Sequence, residues 1–181
     1  MRLRLATPDD IPALQILIPA SVRALQKEHY SERQREGAIG SVFGVDTQLI
    51  HDGTYYVVEA ADGEGMTVMA GCGGWSKRKT LYGSDSVPGK NNAWLDPATD
   101  AARIRAFFVH PDWPRRGVGS RILEACETAA RAAGFTRLEM AATLPGVPLY
   151  KARGYAEVEP FDVPLANGEK LPVIRMVKAL G

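Results

Sequence analysis

The sequence predicts an α+β domain, and three observations carry that reading. Short segments with the period-two alternation or the β-branched enrichment of strands recur from one end of the chain to the other, and two of them, 54–60 and 66–75, are close enough to pair as an antiparallel hairpin. Apolar stripes at helical spacing fall between the strands, at Ile11, Leu14, Leu17 and Ile18 and again from Val118 to Ala133. One strand, 102–109, passes through a basic, glycine-containing turn into the second of these helices and then into another strand.

In chain order, Leu3 and Leu5 alternate with Arg2 and Arg4 as in a half-buried strand. Thr7-Pro8-Asp9-Asp10 has the cap residue, the early proline and the acidic first turn of a helix start. Pro19 cannot donate to the helical ladder, so two helical pieces are expected rather than one rod. Ser31 and Gln34 have capping-box spacing for a second helix reaching about Phe43. Asp52-Gly53 and Asp62-Gly63-Glu64-Gly65 are the turns around the hairpin strands. From Ser76 to Thr99 periodicity is lost; a connection of this length is either a substrate-side loop or a mobile bystander.

In the strand 102–109, Ile104, Ala106 and Phe108 should share one face and Arg103, Arg105, Phe107 and Val109 the other, with Pro111 ending it. The helix beyond should bury Val118, Ile122, Cys126, Ala129 and Ala133 and close at Gly134. A strand from Thr136 to Met140 follows, then a short helix from Leu149 to Arg153 stopped by Gly154. Strands 155–163 and 171–177, joined by the Asn167-Gly168 turn, complete the chain.

With 181 residues, 45% of them hydrophobic, a single domain spanning 1–181 can bury a sizeable core. A formal net charge of +1 argues against a general nucleic-acid binder. Cys72 and Cys126 suggest no disulfide framework, and His29, His51 and His110 have no metal-ligand spacing, so no metal is expected. No stretch approaches the roughly 18 apolar residues of a spanning helix, and Met1 to Asp10 lacks the apolar core of a signal peptide. The expectation is a cytoplasmic protein with neither a nucleic-acid nor a membrane partner.

Chemistry concentrates at Arg115-Arg116-Gly117-Val118-Gly119-Ser120. A helix start leaves amide N–H groups unpaired at the positive end of its dipole, and glycines let a phosphate approach the backbone. From Arg115 to Arg137 there are five arginines against two glutamates, an excess that suits a polyphosphate. The P-loop pattern fails, since position 114 is proline and no lysine follows Gly119. The dinucleotide pattern fails for want of a third glycine. On its own, Gly-x-Gly is a weak signal and reads more readily as a tight turn starting a packed helix.

The run from Val109 to Ser120, the Ala-rich helix after it, and the Leu149-Tyr150-x-x-x-Gly154-Tyr155 segment together resemble the GCN5-related N-acetyltransferase family. Arg4 to Asp10 is similar to the family's opening strand–helix junction, and the likeness covers nearly the whole chain, least between Ser76 and Thr99. The resemblance implies a mixed, mostly antiparallel sheet splayed at the central strand, with helices on both faces and acetyl-CoA in the splay as co-substrate. Backbone groups at Phe107, Phe108 and Val109 would pair with pantetheine, and amides of Arg115, Arg116, Gly117, Val118, Gly119 and Ser120 would hold the pyrophosphate. Tyr150 would be the catalytic acid that protonates the departing thiolate. The chain departs from the family pattern at Pro114, where Gln or Arg is usual, and at Thr143, where many members carry Asn; Thr143 would still give the cofactor one hydrogen bond.

The general base is not readable: Glu28, Glu59 and Glu139 are available, each read more readily as a solvated or structural charge than as a base, and His110 reads as a turn residue. By the same resemblance His29 and Tyr30 would line the acceptor side. The leading expectation is direct acetyl transfer to a small-molecule or peptide amine, with homodimerisation left open. A CoA-binding sensor without turnover is the alternative, favoured by Pro114 and Thr143; a nucleotide-binding α/β domain is disfavoured by the failed motifs.

Overall fold

The computed structural model describes residues 1–181. Its elements are β1 (Arg2–Leu5), a 3-10 turn (Pro8–Asp10), α1 (Ile11–Leu25), α2 (Glu32–Ala38), α3 (Thr47–His51), β2 (Tyr55–Ala61), β3 (Thr67–Ser76), β4 (Ala102–Val109), α4 (Val118–Ala132), β5 (Arg137–Thr143), a second 3-10 turn (Leu144–Gly146), α5 (Val147–Ala152), β6 (Ala156–Pro164) and β7 (Lys170–Ala179). The strands form one sheet in the order β1-β2-β3-β4-β5-β7-β6.

Every neighbouring pair is antiparallel except β4 and β5, which run parallel and meet only at Ala102↔Leu138 and Arg103↔Glu139. That short contact is pinned by Arg103 donating to Glu139 at 2.9 Å, with Arg175 of β7 3.5 Å from the same carboxylate. Beyond it the two strands separate, and from Ile104 onward one edge of β4 has no strand partner. The fold is thus α+β, a mostly antiparallel open sheet with helices on both faces.

The alternation expected along β4 breaks at a bulge. Ala106 sits at φ +57, and the register against β3 shifts between Cys72 and Gly74. An extra residue in one strand flips every later side chain to the other face. Ile104 and Phe107 therefore both face α4, while Arg105, Ala106 and Phe108 face α1. Two features hold this strained backbone: Tyr55 donates from its hydroxyl to the Ala106 carbonyl at 3.2 Å, and Gly73 opposite leaves room for the Phe107 ring. A Cβ at Gly73 would lie 2.7 Å from Phe107 and 2.9 Å from Ile122.

α1 runs through Pro19 without the expected division. An interior proline costs about 3 kcal/mol, but burying Leu14, Leu17, Ile18 and Val22 against β3 and β4 contributes about 1.5–3 kcal/mol each, so packing wins. The Ser31–Gln34 capping box forms as expected, at 3.1 and 2.9 Å. The helix it starts ends at Ala38, short of Phe43, because Gly40 turns the chain at φ +93. α4 buries Leu123 and Ala130 as well as Val118, Ile122 and Cys126, while Ala129 is half-buried and Ala133 exposed. The segment 76–99 is packed: Arg78 donates to Asp52 at 2.7 and 2.9 Å with its guanidinium 3.8 Å from the Trp94 ring centre, Thr80 pairs with Asn91, and Leu95 is buried. No helix is long and apolar enough to cross a membrane.

Tyr30, Tyr55, Tyr150 and Tyr155 are buried, and burial raises each phenol above its ordinary value, Tyr30 to about 12. The unfolded phenol titrates near 10. Below that pH both states hold the proton and stability is unaffected. Above it the unfolded chain loses protons that the folded chain keeps, so stability falls at up to about 1.4 kcal/mol per pH unit for each tyrosine. Urea midpoints should therefore be insensitive to these groups up to about pH 9.5 and fall steeply by pH 11; a flat profile to pH 11 would show that these phenols are not shielded.

Candidate functional site

Where β4 and β5 separate, a cleft partly open to solvent passes through the sheet. Phe107, Met140 and Tyr150 line it on the α4 side; Val42, Phe43, Leu81, Tyr82, Val163 and Val173 line it on the α1 side. Leu81, Tyr82 and Gly83 come from the irregular segment 76–99, which is thereby a wall of the cleft. Arg105 is the single lining residue with a formal charge, and no carboxylate or imidazole lines the cavity.

The turn before α4 has an unusual backbone. Arg115 at φ +60 and Gly117 at φ +81 are the positive-φ residues, so the sign of φ alternates at each step from Pro114 to Val118. Such alternation of hand turns successive N–H groups to one side, the concavity that backbone uses to hold anions. A non-glycine residue held in this region costs on the order of 1–2 kcal/mol, and strain of this kind collects at functional sites. The amides of Arg115, Arg116, Gly117, Val118, Gly119 and Ser120 have no acceptor in the chain: the first bond of the helix is donated by Arg121 to the Gly117 carbonyl, and α4 has no side-chain cap. Arg116 stacks on Trp113 at 4.8 Å, leaving its charge at the mouth of the turn, and Arg115 and Pro114 are exposed. The site that would hold a pyrophosphate is therefore built from backbone N–H groups, and Pro114 takes no part as a donor.

Gly119 ties this turn to the cleft. Its ideal Cβ would stand 3.0 Å from Leu149 of α5, the residue before Tyr150. Tyr150 is 7% exposed, edge-on to Phe107 and Tyr155 with ring centres 6.2 and 5.9 Å away, and Gly146 leaves the space its ring occupies. Its hydroxyl makes no hydrogen bond in the chain and burial holds it protonated, so it can donate a proton to a ligand but is no base near neutral pH. Thr143 also lines the cleft, with its hydroxyl unbonded.

The other sequence candidates fall as follows. Phe107 presents its ring to the cleft, Phe108 packs edge-on against Phe43 at 5.8 Å, and the Val109 amide donates to Ser21 Oγ of α1 at 3.2 Å, a partner that a ligand on this edge must displace or share. Ser21 carries no motif that would have singled it out. Tyr30 is a brace: its hydroxyl donates to the Pro172 carbonyl at 2.6 Å and accepts from the Leu144 amide at 2.9 Å, while His29 is exposed. Glu59 is held by Arg4, which also grips Asp10 at the start of the first helix; Glu139 is held by Arg103 and Arg175. Glu28 is exposed, and His110 Nδ1 accepts from the Asp112 amide as a turn residue. None of the three glutamates lines the cleft.

A family model described as the Acetyltransferase (GNAT) family matches residues 18–155. Among solved structures, the chain is similar to a GCN5-related N-acetyltransferase from Rhodopseudomonas palustris at 25% identity and a TM-score of 0.69, covering 99% of this chain and 95% of that one. It also resembles in fold the PaiA N-acetyltransferase from Thermoplasma acidophilum in complex with coenzyme A (11% identity, TM-score 0.62, 98% of each chain). A third fold match is the ribosomal-protein-alanine N-acetyltransferase from Brucella melitensis (17% identity, TM-score 0.62, 99% and 100% covered). No curated protein matches.

Proposed function

The chain belongs to the acetyltransferase (GNAT) family, and on that premise we propose that it moves an acetyl group from acetyl-CoA to a primary amine by direct attack in a ternary complex. Acetyl-CoA supplies the activated acyl group. The amides of Arg115 to Ser120 receive its pyrophosphate, supplemented by the charges of Arg115 and Arg116. The edge of β4 at Phe107 to Val109 aligns the pantetheine, Thr143 adds one hydrogen bond, and the acyl end reaches the cleft beside Tyr150.

The amine comes from the α1 side, its nitrogen bonds to the acyl carbon, and the carbon–sulfur bond breaks. The departing sulfur takes the Tyr150 proton. Because a phenol is a weaker acid than a thiol and burial weakens Tyr150 further, the proton reaches the sulfur in concert with the phenol regaining one from the ammonium formed in the attack. With no carboxylate or imidazole in the cleft, deprotonation of the incoming amine falls to solvent and to the apolar surroundings, which themselves disfavour the charged amine.

The observation that carries this reading is the six unpartnered amides of the alternating turn, coupled through Gly119 and Leu149 to an unbonded, protonated Tyr150. Release of free CoA thiol from acetyl-CoA, dependent on an added amine, tests it. A CoA-binding sensor without turnover is the second reading, favoured by the lack of a base in the cleft and by Pro114. Tight CoA binding with no thiol release across amines, polyamines, aminoglycosides, amino acids and peptides would establish it.

A further inference from the structure

The α1 side of the cleft, where the amine enters in the reading above, has an apolar wall broken at one point. Val42, Phe43, Leu81, Tyr82, Val163 and Val173 surround Arg105, whose side chain is 3% exposed. Nη2 of Arg105 faces the Gly83 carbonyl at 2.5 Å and Asp46 Oδ2 at 2.7 Å. Nε is buried with no hydrogen-bond partner, Nη1 makes none in the chain, and Asp46 Oδ2 accepts none, so the Asp46 contact is an ion pair and the Gly83 carbonyl is the one acceptor hydrogen-bonded to this guanidinium.

Asp46 is not held by Arg105 alone. Asp46, fully buried, is shared between Arg105 and Lys90, which lies 3.2 Å away and is 14% exposed; the second carboxylate near Lys90, Asp85, is 3.7 Å off and 42% exposed. Two cations thus meet two carboxylates, of which Asp46 alone is buried. Unpartnered buried donors are costly to keep, and a carboxylate is the group that gives the free Nη1 a charge-assisted hydrogen bond.

We propose that the acceptor is an amine carrying both an apolar side chain and a carboxylate, of the size of one apolar amino acid, with the carboxylate on Arg105 and the side chain among Val42, Phe43, Tyr82 and Val173. The inference rests on the transferase reading for its direction of entry. It excludes polyamines and aminoglycosides, whose several charges would meet one cation and no acid in this chamber.

The test compares each apolar amino acid with its decarboxylated amine, phenylalanine with phenethylamine and leucine with isoamylamine, with spermidine as the polycation. Thiol release is measured with acetyl-CoA, and calorimetric binding is measured on CoA-loaded protein. kcat/KM should favour phenylalanine over phenethylamine by about tenfold or more, because a site built to bond a substrate group discriminates against the analogue that lacks it. Arg105→Met should bring that ratio near one. Arg105→Lys, which keeps a charge opposite Asp46 and so protects the fold, should lower it severalfold. The ratio is taken within one preparation, so a smaller folded fraction cancels. Equal use of phenethylamine, preference for spermidine, or a ratio unchanged by both substitutions overturns the proposal. Binding that favours phenylalanine on CoA-loaded protein without thiol release from any amine would uphold the chamber and remove the transferase reading; binding without preference overturns the chamber itself.

Discussion

Tyr150→Phe should lower kcat by about 10²-fold or more, the lower end of what a positioned general acid supplies, while the acetyl-CoA KM changes little. The substitution is well suited to the question because the hydroxyl has no hydrogen bond in the chain, so its removal leaves no buried partner unsatisfied. The ring contacts with Phe107 and Tyr155 are kept, and the fold should be as stable as the parent. A loss confined to kcat identifies an interaction made in the transition state. An unaltered rate at saturation would remove Tyr150 from the acid role and leave it as a packing residue.

Gly119→Leu should weaken CoA binding by about tenfold or more, at least about 1.4 kcal/mol, by calorimetry. The first carbon added at Gly119 already meets Leu149 at 3.0 Å, so the larger side chain must project into the mouth of the turn or push α5 away. Either movement disturbs the row of free amides, and the second also shifts Tyr150. A fall in kcat should therefore accompany the loss of affinity, whereas Tyr150→Phe should affect rate alone. Far-ultraviolet circular dichroism should stay that of the parent, because Gly119 lies in the first turn of α4, outside the buried core. Unchanged affinity would end the assignment of this turn as a pyrophosphate site.

Much of the fold was legible because local and long-range preferences agree. The strand 102–109, the Ser31–Gln34 capping box and the hairpin closed at Asn167-Gly168 each form where pattern and turn chemistry place them. Departures come where tertiary packing decides. α1 passes Pro19 because four buried apolar side chains outweigh one interior proline. α3 is five residues long, too short for periodicity to reveal, and rests on the Asp46 cap. The bulge at Ala106 depends on Tyr55, more than fifty residues away in sequence, so alternation alone assigned the wrong face to half of β4. A signal for it existed: Gly71, Gly73 and Gly74 within one strand mark close approach of a neighbour or a bulge, and a Cβ at Gly71 would lie 2.5 Å from Val118 of α4.

The turn at 115–120 was readable as residue types, while its backbone was not. The alternating φ from Pro114 to Val118, with Arg115 in the left-handed region, is a property of the folded turn, and the proposed pyrophosphate site draws its donors from that backbone rather than from a side chain at Pro114. The chamber around Arg105 was almost silent in the sequence. Its lining comes from five separate segments, and Arg105 was one member of an alternating face until the bulge and Asp46 placed it inside.

The most direct measurement is a titration of CoA into ¹⁵N-labelled protein followed through backbone amide resonances. The largest shifts should fall on Arg115, Arg116, Gly117, Val118, Gly119 and Ser120, with a second group at Phe107 to Val109. Saturable binding that leaves the 115–120 amides in place, or shifts that cluster on another surface, would contradict it.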